Sequence, residues 1–127
     1  MNASGTILAI DNDAPTVDLI AEFLTDEGYV VHTASNADCA VALALEIRPN
    51  LVLCDLHMPG RDGISLVEGL RTYGLIDVPI VLMTADTAAP ERLKDSGIDV
   101  CLLKPFDLDE LLDCVTTHIR PDTTTPV

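Results

Sequence analysis

The sequence predicts an α/β fold, a right-handed, doubly wound sandwich of five strand–helix units, and two observations indicate it. Short apolar runs of strand length alternate with longer segments whose apolar residues recur at helical spacing. Three of the runs are apolar throughout, which is typical of parallel strands covered by helices on both faces. A chain of 127 residues, 48% of them hydrophobic, has material for one core. We therefore expect one domain over residues 1–120, followed by a tail or linker start at 121–127.

The predicted strands are bounded by Gly, Pro, Asn or Asp and are rich in leucine and β-branched residues. They cover residues 6–10, 29–33, 51–54, 79–83 and 99–103. The first, third and fourth are the uninterrupted apolar runs. We expect these three to be buried on both faces of the sheet.

The first predicted helix has the clearest boundaries. Its apolar residues lie at helical spacing from Val17 to Leu24, and Asp13 stands where an N-cap is expected. Pro15 falls in the first turn and Gly28 just beyond the end, which are the favoured positions of these two residue types.

Four further helices are predicted between and after the other strands. Three cover residues 36–47, 64–73 and 88–96, the last weakened by Pro90 near its start. The fifth begins with "DLDE", in which Asp107 and Glu110 have the spacing of a capping box, and extends to Ile119.

Composition excludes several classes of protein. Seven basic residues against 21 acidic ones give a net charge of −14, and no Lys/Arg cluster could neutralise a run of phosphates, so we expect no direct nucleic-acid binding. The longest apolar run, at residues 40–45, is too short to cross a bilayer, and no basic leader precedes the first strand. The sequence therefore predicts no membrane partner. Four cysteines lie far apart in apolar segments, which predicts reduced core residues in a cytoplasmic protein.

Polar residues follow four of the five apolar runs, where ligands of such sheets bind. They are Asp11, Asn12 and Asp13 after the first run, Asp55 after the third, Thr84 after the fourth and Lys104 after the fifth. Clustered carboxylates with no His or Cys partner select Mg²⁺ or a similar ion. A metal ion, a hydroxyl, a lysine and a carboxylate nucleophile are together the groups that move a phosphoryl group onto an aspartate.

Each of these residues taken alone also has an ordinary structural interpretation. Asp13 alone is a helix cap, Thr84 a strand-end hydroxyl and Lys104 a surface lysine. Asp55, directly after "LVLC", has no comparable structural role. Their joint placement at strand ends is what favours a phosphoryl-transfer site.

Three motifs resemble those of the response-regulator receiver domain of two-component signalling. "CDLHMPGRDG" is similar to the family's D-x-x-M-P-x-x-D-G, "VPIVLMTA" to its fourth strand, and "LLKPFD" to its Lys-Pro-Phe signature. The resemblance extends from about Thr6 to Ile119. It implies a flavodoxin-like fold, chemotaxis-regulator-like, with the strand order 2-1-3-4-5.

The resemblance also implies a role for each site residue. Asp55 would accept a phosphoryl group from the phosphohistidine of a histidine kinase or phosphotransfer protein, and Thr84 and Lys104 would each bind a phosphoryl oxygen, with Lys104–Pro105 a cis bond. Mg²⁺ would be held by Asp11, Asn12, Asp55 and the main-chain carbonyl of His57. The protein would be a switch with slow self-dephosphorylation and not an enzyme, either stand-alone or part of a larger regulator or hybrid kinase, with homodimerisation left open.

Three departures from the family pattern and two residues at tuning positions bear on this function. Asn12 stands where the family usually has a second metal-binding acid, which predicts weaker Mg²⁺ binding. Cys101 replaces the aromatic residue that swings inward when Thr84 engages the phosphate. His57 and Asp86 stand two residues after Asp55 and Thr84, where the family tunes the lifetime of the acyl phosphate. The chain from 84 to 97 is also about two residues shorter than is typical, which predicts an altered partner surface.

Two alternatives remain open from the sequence. Asn12 and Cys101 motivate the first, a degenerate receiver that acts by protein contact without phosphorylation. "ILAIDND" also resembles the first motif of haloacid-dehalogenase-type phosphatases, with Asp11 as the nucleophile, although Pro15 stands where that motif has Thr or Val.

Overall fold

A five-stranded parallel sheet lies at the centre of the computed structural model, which describes residues 5–58, 61–75, 77–94 and 98–120. The strands are β1 (Thr6–Ile10), β2 (Val30–Ala34), β3 (Leu51–Asp55), β4 (Ile80–Thr84) and β5 (Val100–Leu103). Their order is β2-β1-β3-β4-β5, and every neighbouring pair is parallel. The predicted order 2-1-3-4-5 is therefore confirmed.

In the described ranges five helices follow the strands in alternation, as the spacing of apolar residues predicts. They are α1 (Ala14–Asp26), α2 (Ala37–Ile47), α3 (Gly63–Thr72), α4 (Ala89–Arg92) and α5 (Leu108–His118). Between β3 and α3, His57–Met58 and Arg61–Asp62 form a two-stranded antiparallel pair. The resemblance also implies a turn over Met58, Pro59 and Gly60, of which Pro59 and Gly60 lie outside the described residues.

The helix predicted over 88–96 is wrong in length. Within the described part of the chain α4 is a single turn of four residues, and Leu93 leaves the helical conformation with φ −105° and ψ 8°. Only Ala89 of α4 is buried. A helix that packs through a single buried residue has little tertiary contact to offset the cost of helix nucleation.

The helix ends show which local signals act as predicted. In α5 the capping box forms, because Glu110 N–H donates to Asp107 Oδ1 at 2.8 Å and Asp107 N–H donates to Glu110 Oε1 at 3.2 Å. Gly28, with φ +106°, follows α1 in the left-handed region that glycine tolerates best.

Asp13 differs from its predicted role. It occupies the N-cap position of α1, but its side chain accepts no backbone N–H. It accepts instead from the hydroxyl of Thr16. The prediction of a side-chain cap is therefore wrong, because Asp13 bonds a neighbouring side chain while its own N–H points to Asp11.

Two apolar clusters cover the two faces of the sheet. α1 and α5 pack on one face through residues such as Ile20 and Leu111, and α2, α3 and α4 pack on the other through residues such as Ala40 and Leu70. β3 and β4 are buried along their whole length, while β2, at the edge, is partly exposed. The uninterrupted apolar runs thus mark the interior of the sheet.

The four cysteines are all free thiols, and Cys54 is buried. Cys39 is exposed on α2, so the prediction that all four belong to the core is wrong for this residue. Ala40 and Val41 follow it in the sequence, but Cys39 lies on the solvent side of the helix. No helix in the described part of the chain is both long and apolar enough to span a bilayer.

Candidate functional site

The carboxyl edge of the sheet brings four of the predicted site residues together. Asp11 follows β1, Asp55 ends β3, Thr84 ends β4 and Lys104 follows β5. β1, β3, β4 and β5 are consecutive neighbours in the sheet, so these side chains come from adjacent strand ends. Asp11, Asp55 and Thr84 are buried polar residues, with exposed fractions of 2%, 8% and 1%.

Lys104 links the two acids. Its Nζ donates to Asp55 Oδ1 at 3.1 Å and lies 3.9 Å from Asp11 Oδ2. The backbone N–H of Lys104 donates to the carbonyl of Thr84 at 2.8 Å, and the Lys104–Pro105 bond is cis, as the resemblance implies. The ammonium group is therefore held against both carboxylates by side-chain and main-chain contacts.

The charged form of the Asp11 carboxyl is disfavoured in the folded protein. Burial raises the pKa of this carboxyl, and the negative charge of Asp55 raises that pKa further. The hydrogen bond from Asp13 N–H to Asp11 Oδ1, 2.9 Å long, and the positive charge of Lys104 lower the pKa, but the net shift is upward. Asp11 Oδ2 is buried and accepts no hydrogen bond from the described residues. Such an oxygen fits a bound cation, which would satisfy it and relieve the repulsion between the acids.

The residues around Asp11 fit a hard cation with oxygen ligands. Asp11 and Asp55 supply carboxylates, and Asn12 is exposed beside Asp11, where both line a cavity of about 460 Å³ between the ends of β1 and β2. The described residues contain no group of three or more His, Cys, Asp or Glu side chains that could hold a metal ion. Any cation here would therefore need amide, main-chain or water oxygens besides the two carboxylates.

Replacing Asp11 by Asn is expected to stabilise the metal-free protein at pH 7. Because the pKa of Asp11 is raised, the folded protein keeps the carboxyl proton of Asp11 above pH 3.8, the pKa of an ordinary Asp. The free energy of unfolding therefore falls as the pH rises from 3.8 through the raised pKa of the folded protein. Asparagine carries no charge and removes this penalty on the charged form, which we expect to be on the order of 1 kcal/mol, the scale of a stabilising change of a single charge. Urea unfolding in EDTA measures it, and a variant less stable than the native protein would contradict the interpretation.

Thr84 is positioned by the loop that follows it. Its Oγ1 accepts a hydrogen bond from Asp86 N–H at 3.0 Å, so the hydroxyl proton can donate to another acceptor. The carboxylate of Asp86 in turn accepts from Ala88 N–H at 2.9 Å and from Arg92 Nη1 at 2.7 Å. Sequence reasoning missed Arg92, because a separation of six residues is not a helical pairing distance.

Cys101 lies on β5 opposite Leu82 of β4. It is half-buried and packs against the cluster on the α2, α3 and α4 side of the sheet, and burial raises the pKa of its thiol. With Leu93 and Ile98 it lines a cavity of about 200 Å³. A small thiol beside this space cannot act as the aromatic side chain of the family pattern would.

His57 lies in the short antiparallel pair after β3, opposite Asp62. The use of its main-chain carbonyl as a metal ligand stays a prediction. Its part in the lifetime of a phosphoryl group also stays a prediction.

The model of the family described as "Response regulator receiver domain" matches residues 7–116. The chain is 35% identical over 117 residues to the "DNA-binding dual master transcriptional regulator RpaA" of Synechocystis, covering 90% of this chain and 48% of that protein. It is 33% identical over 119 residues to the "Transcriptional regulatory protein KdpE" of Mycobacterium tuberculosis, covering 92% and 52%. The chain thus spans about half the length of these relatives.

Solved structures of the same fold include a chemotaxis regulator and a metal complex. The chain matches the response regulator CheY4 of Vibrio cholerae with a TM-score of 0.85 and 27% identity, covering 92% of this chain and 100% of that one. It matches TrrA of Thermotoga maritima, solved in complex with Mg²⁺-BeF, with a TM-score of 0.80 and 28% identity, covering 94% and 100%. By its family match, its sequence relatives and its strand order, this chain belongs to the response regulator receiver domain family.

Proposed function

We propose that this receiver domain accepts a phosphoryl group on Asp55 from the phosphohistidine of a histidine kinase or phosphotransfer protein. The observation that carries the proposal is the contact of Lys104 Nζ with Asp55 Oδ1 at 3.1 Å, with Asp11 Oδ2 3.9 Å from the same ammonium. A lysine paired with a carboxylate at a strand end is placed to bind a phosphoryl oxygen once that carboxylate becomes an acyl phosphate.

Asp55, Lys104 and Thr84 each have a separate role in the proposed phosphoryl transfer. An oxygen of Asp55 forms the new bond to phosphorus, while the bond from phosphorus to the imidazole nitrogen of the donor breaks and its electron pair returns to the ring. Lys104 then binds one phosphoryl oxygen, and the hydroxyl of Thr84 donates its proton to another. These contacts stabilise the acyl phosphate that constitutes the switched state.

Asp11, Asn12, Asp55 and the main-chain carbonyl of His57 would hold Mg²⁺ at this site. Asp11 Oδ2 supports this assignment because it is buried and accepts no hydrogen bond from the described residues. The bound ion would neutralise negative charge on the transferring phosphoryl oxygens and on the paired acids.

The switched state would act on partner proteins in the cytoplasm, including a second copy of this chain. The net charge of −14 supports a receiver that does not itself bind nucleic acid. The relatives are regulators about twice as long as this chain, two of them named for transcription. By analogy, the output would lie in an attached or separate protein.

Treatment with a small phosphodonor such as acetyl phosphate and Mg²⁺, followed by mass spectrometry of the intact protein and its peptides, tests the proposal. We expect one added phosphoryl group on Asp55 of the native protein and none on the Asp55→Asn variant. Absence of any adduct on folded native protein would favour a degenerate receiver that acts by protein contact. An adduct on Asp11 would favour the phosphatase alternative.

A further inference from the structure

Three polar contacts run from the surface of α4 to the buried hydroxyl of Thr84. Arg92 Nη1 donates to Asp86 Oδ2 at 2.7 Å, and Ala88 N–H donates to Asp86 Oδ1 at 2.9 Å. The N–H of Asp86 donates to Thr84 Oγ1 at 3.0 Å. The carboxylate of Asp86 is thus bonded to α4 and the residue before it, and its backbone N–H is bonded to the hydroxyl of Thr84.

Burial increases along this path. The side chains of Arg92 and Asp86 are 53% and 33% exposed, whereas Thr84 is 1% exposed. The outer contact is therefore an ion pair that solvent and partners can reach, and the inner contact is a hydrogen bond inside the fold. An exposed ion pair contributes little stability, but its geometry can still restrict a loop.

We propose that Arg92 is a positioning residue for the phosphorylation site, acting through Asp86 on the hydroxyl of Thr84. The proposal rests on the proposed function. Arg92 holds the carboxylate of Asp86 on α4, and this restrains the backbone N–H that Thr84 Oγ1 accepts. While Oγ1 accepts the Asp86 N–H, the hydroxyl proton of Thr84 is left to donate to a phosphoryl oxygen, so the position of Asp86 sets the direction of that donation.

This connection supplies a route between the site and α4 that does not pass through residue 101. Cys101 has no ring to swing, and a cavity of about 200 Å³ lies beside it. The three hydrogen bonds described above join the loop between β4 and α4 to Arg92 of α4, and none of the three involves a side chain of β5. A change at Thr84 therefore reaches α4 through Asp86 and Arg92.

The test compares Arg92→Gln with Lys94→Gln. Lys94 is a neighbouring cation that forms an exposed ion pair with Glu91, 3.0 Å long, and no hydrogen bond or ion pair among the described residues joins Lys94 to Asp86 or Thr84. Two quantities are measured: the amide resonance of Asp86 in the unphosphorylated, metal-free protein, and the lifetime of the phosphoryl group on Asp55. We expect Arg92→Gln to shift the resonance. We also expect it to shorten the lifetime by about two- to fivefold, the scale of an exposed ion pair, because a loosened loop admits water.

Two further measurements separate positioning from a general surface effect. Arg92→Lys keeps the charge and should restore most of the lifetime and of the resonance position. High salt should weaken the pair in the native protein and reproduce part of the Arg92→Gln effect. Equal effects of Arg92→Gln and Lys94→Gln, or no effect of either, would overturn the proposal.

Failure of the proposed function would be distinguishable from failure of this proposal. If the native protein takes up no phosphoryl group, the proposed function fails. The Asp86 resonance still decides whether Arg92 orients the Thr84 loop, because it is recorded without phosphorylation.

Discussion

The Asn12→Asp variant is expected to bind Mg²⁺ about tenfold more tightly than the native protein, a gain of roughly 1.4 kcal/mol. Asn12 is exposed and lies next to Asp11 in the cavity between the ends of β1 and β2. A unit charge pair 4 Å apart interacts by about 1 kcal/mol in water and about 4 kcal/mol at an effective dielectric of 20. Because Asn12 is solvated, the gain should lie near the lower of these values.

Calorimetric titration of both proteins with MgCl₂ at one ionic strength measures this difference. Asn50→Asp is a matched control, because it makes the same chemical change at the other edge of the sheet. There Asn50 Oδ1 accepts the N–H of Thr6 at 2.7 Å, a bond that aspartate also makes. Equal affinities of native protein and Asn12→Asp would refute the assignment of Asn12 as a metal ligand.

The Lys104→Met variant is expected to accept the phosphoryl group about a hundredfold more slowly, as when one preorganised donor to transition-state charge is removed. Lys104 is the cation that contacts both Asp55 and Asp11 within the described part of the chain. Methionine keeps the length of the side chain but donates nothing to a phosphoryl oxygen.

Mg²⁺ binding should respond differently to the same substitution. Lys104 lowers the pKa of Asp11 and opposes the negative field of the two acids. Its removal leaves that field stronger, so Mg²⁺ affinity at pH 7 should be unchanged or higher while phosphorylation slows. Lys94→Met is the matched control, since Lys94 pairs only with Glu91 among the contacts that the structure gives it. Equal slowing in both variants would contradict a specific role for Lys104.

Much of the fold follows from local patterns. The fully apolar runs at the third and fourth strands are the two strands buried along their whole length. The capping box that the spacing of Asp107 and Glu110 predicts is present, and the glycine after α1 adopts a positive φ. These features depend on side-chain type and spacing within a few residues, so the sequence alone indicates them.

The errors concern features that depend on contacts beyond the local sequence. α4 ends after one turn because only Ala89 is buried, and helical spacing does not show which residues find a packing partner. Asp13 has the residue type of a cap, yet its side chain bonds Thr16. Cys39 lies in an apolar segment but on its exposed side.

The sequence by itself determined the α/β class, the order of the elements and which residues end at the carboxyl edge of the sheet, because hydrophobic period and strand-end position are properties of the chain. The tertiary structure decided how those residues meet. It placed Lys104 against Asp55 across 49 residues of sequence, left Asp11 Oδ2 without a hydrogen bond from the described residues, and connected Arg92 to Thr84 through Asp86. Such contacts depend on strand neighbours and loop conformation, which are set only when the whole sheet is assembled.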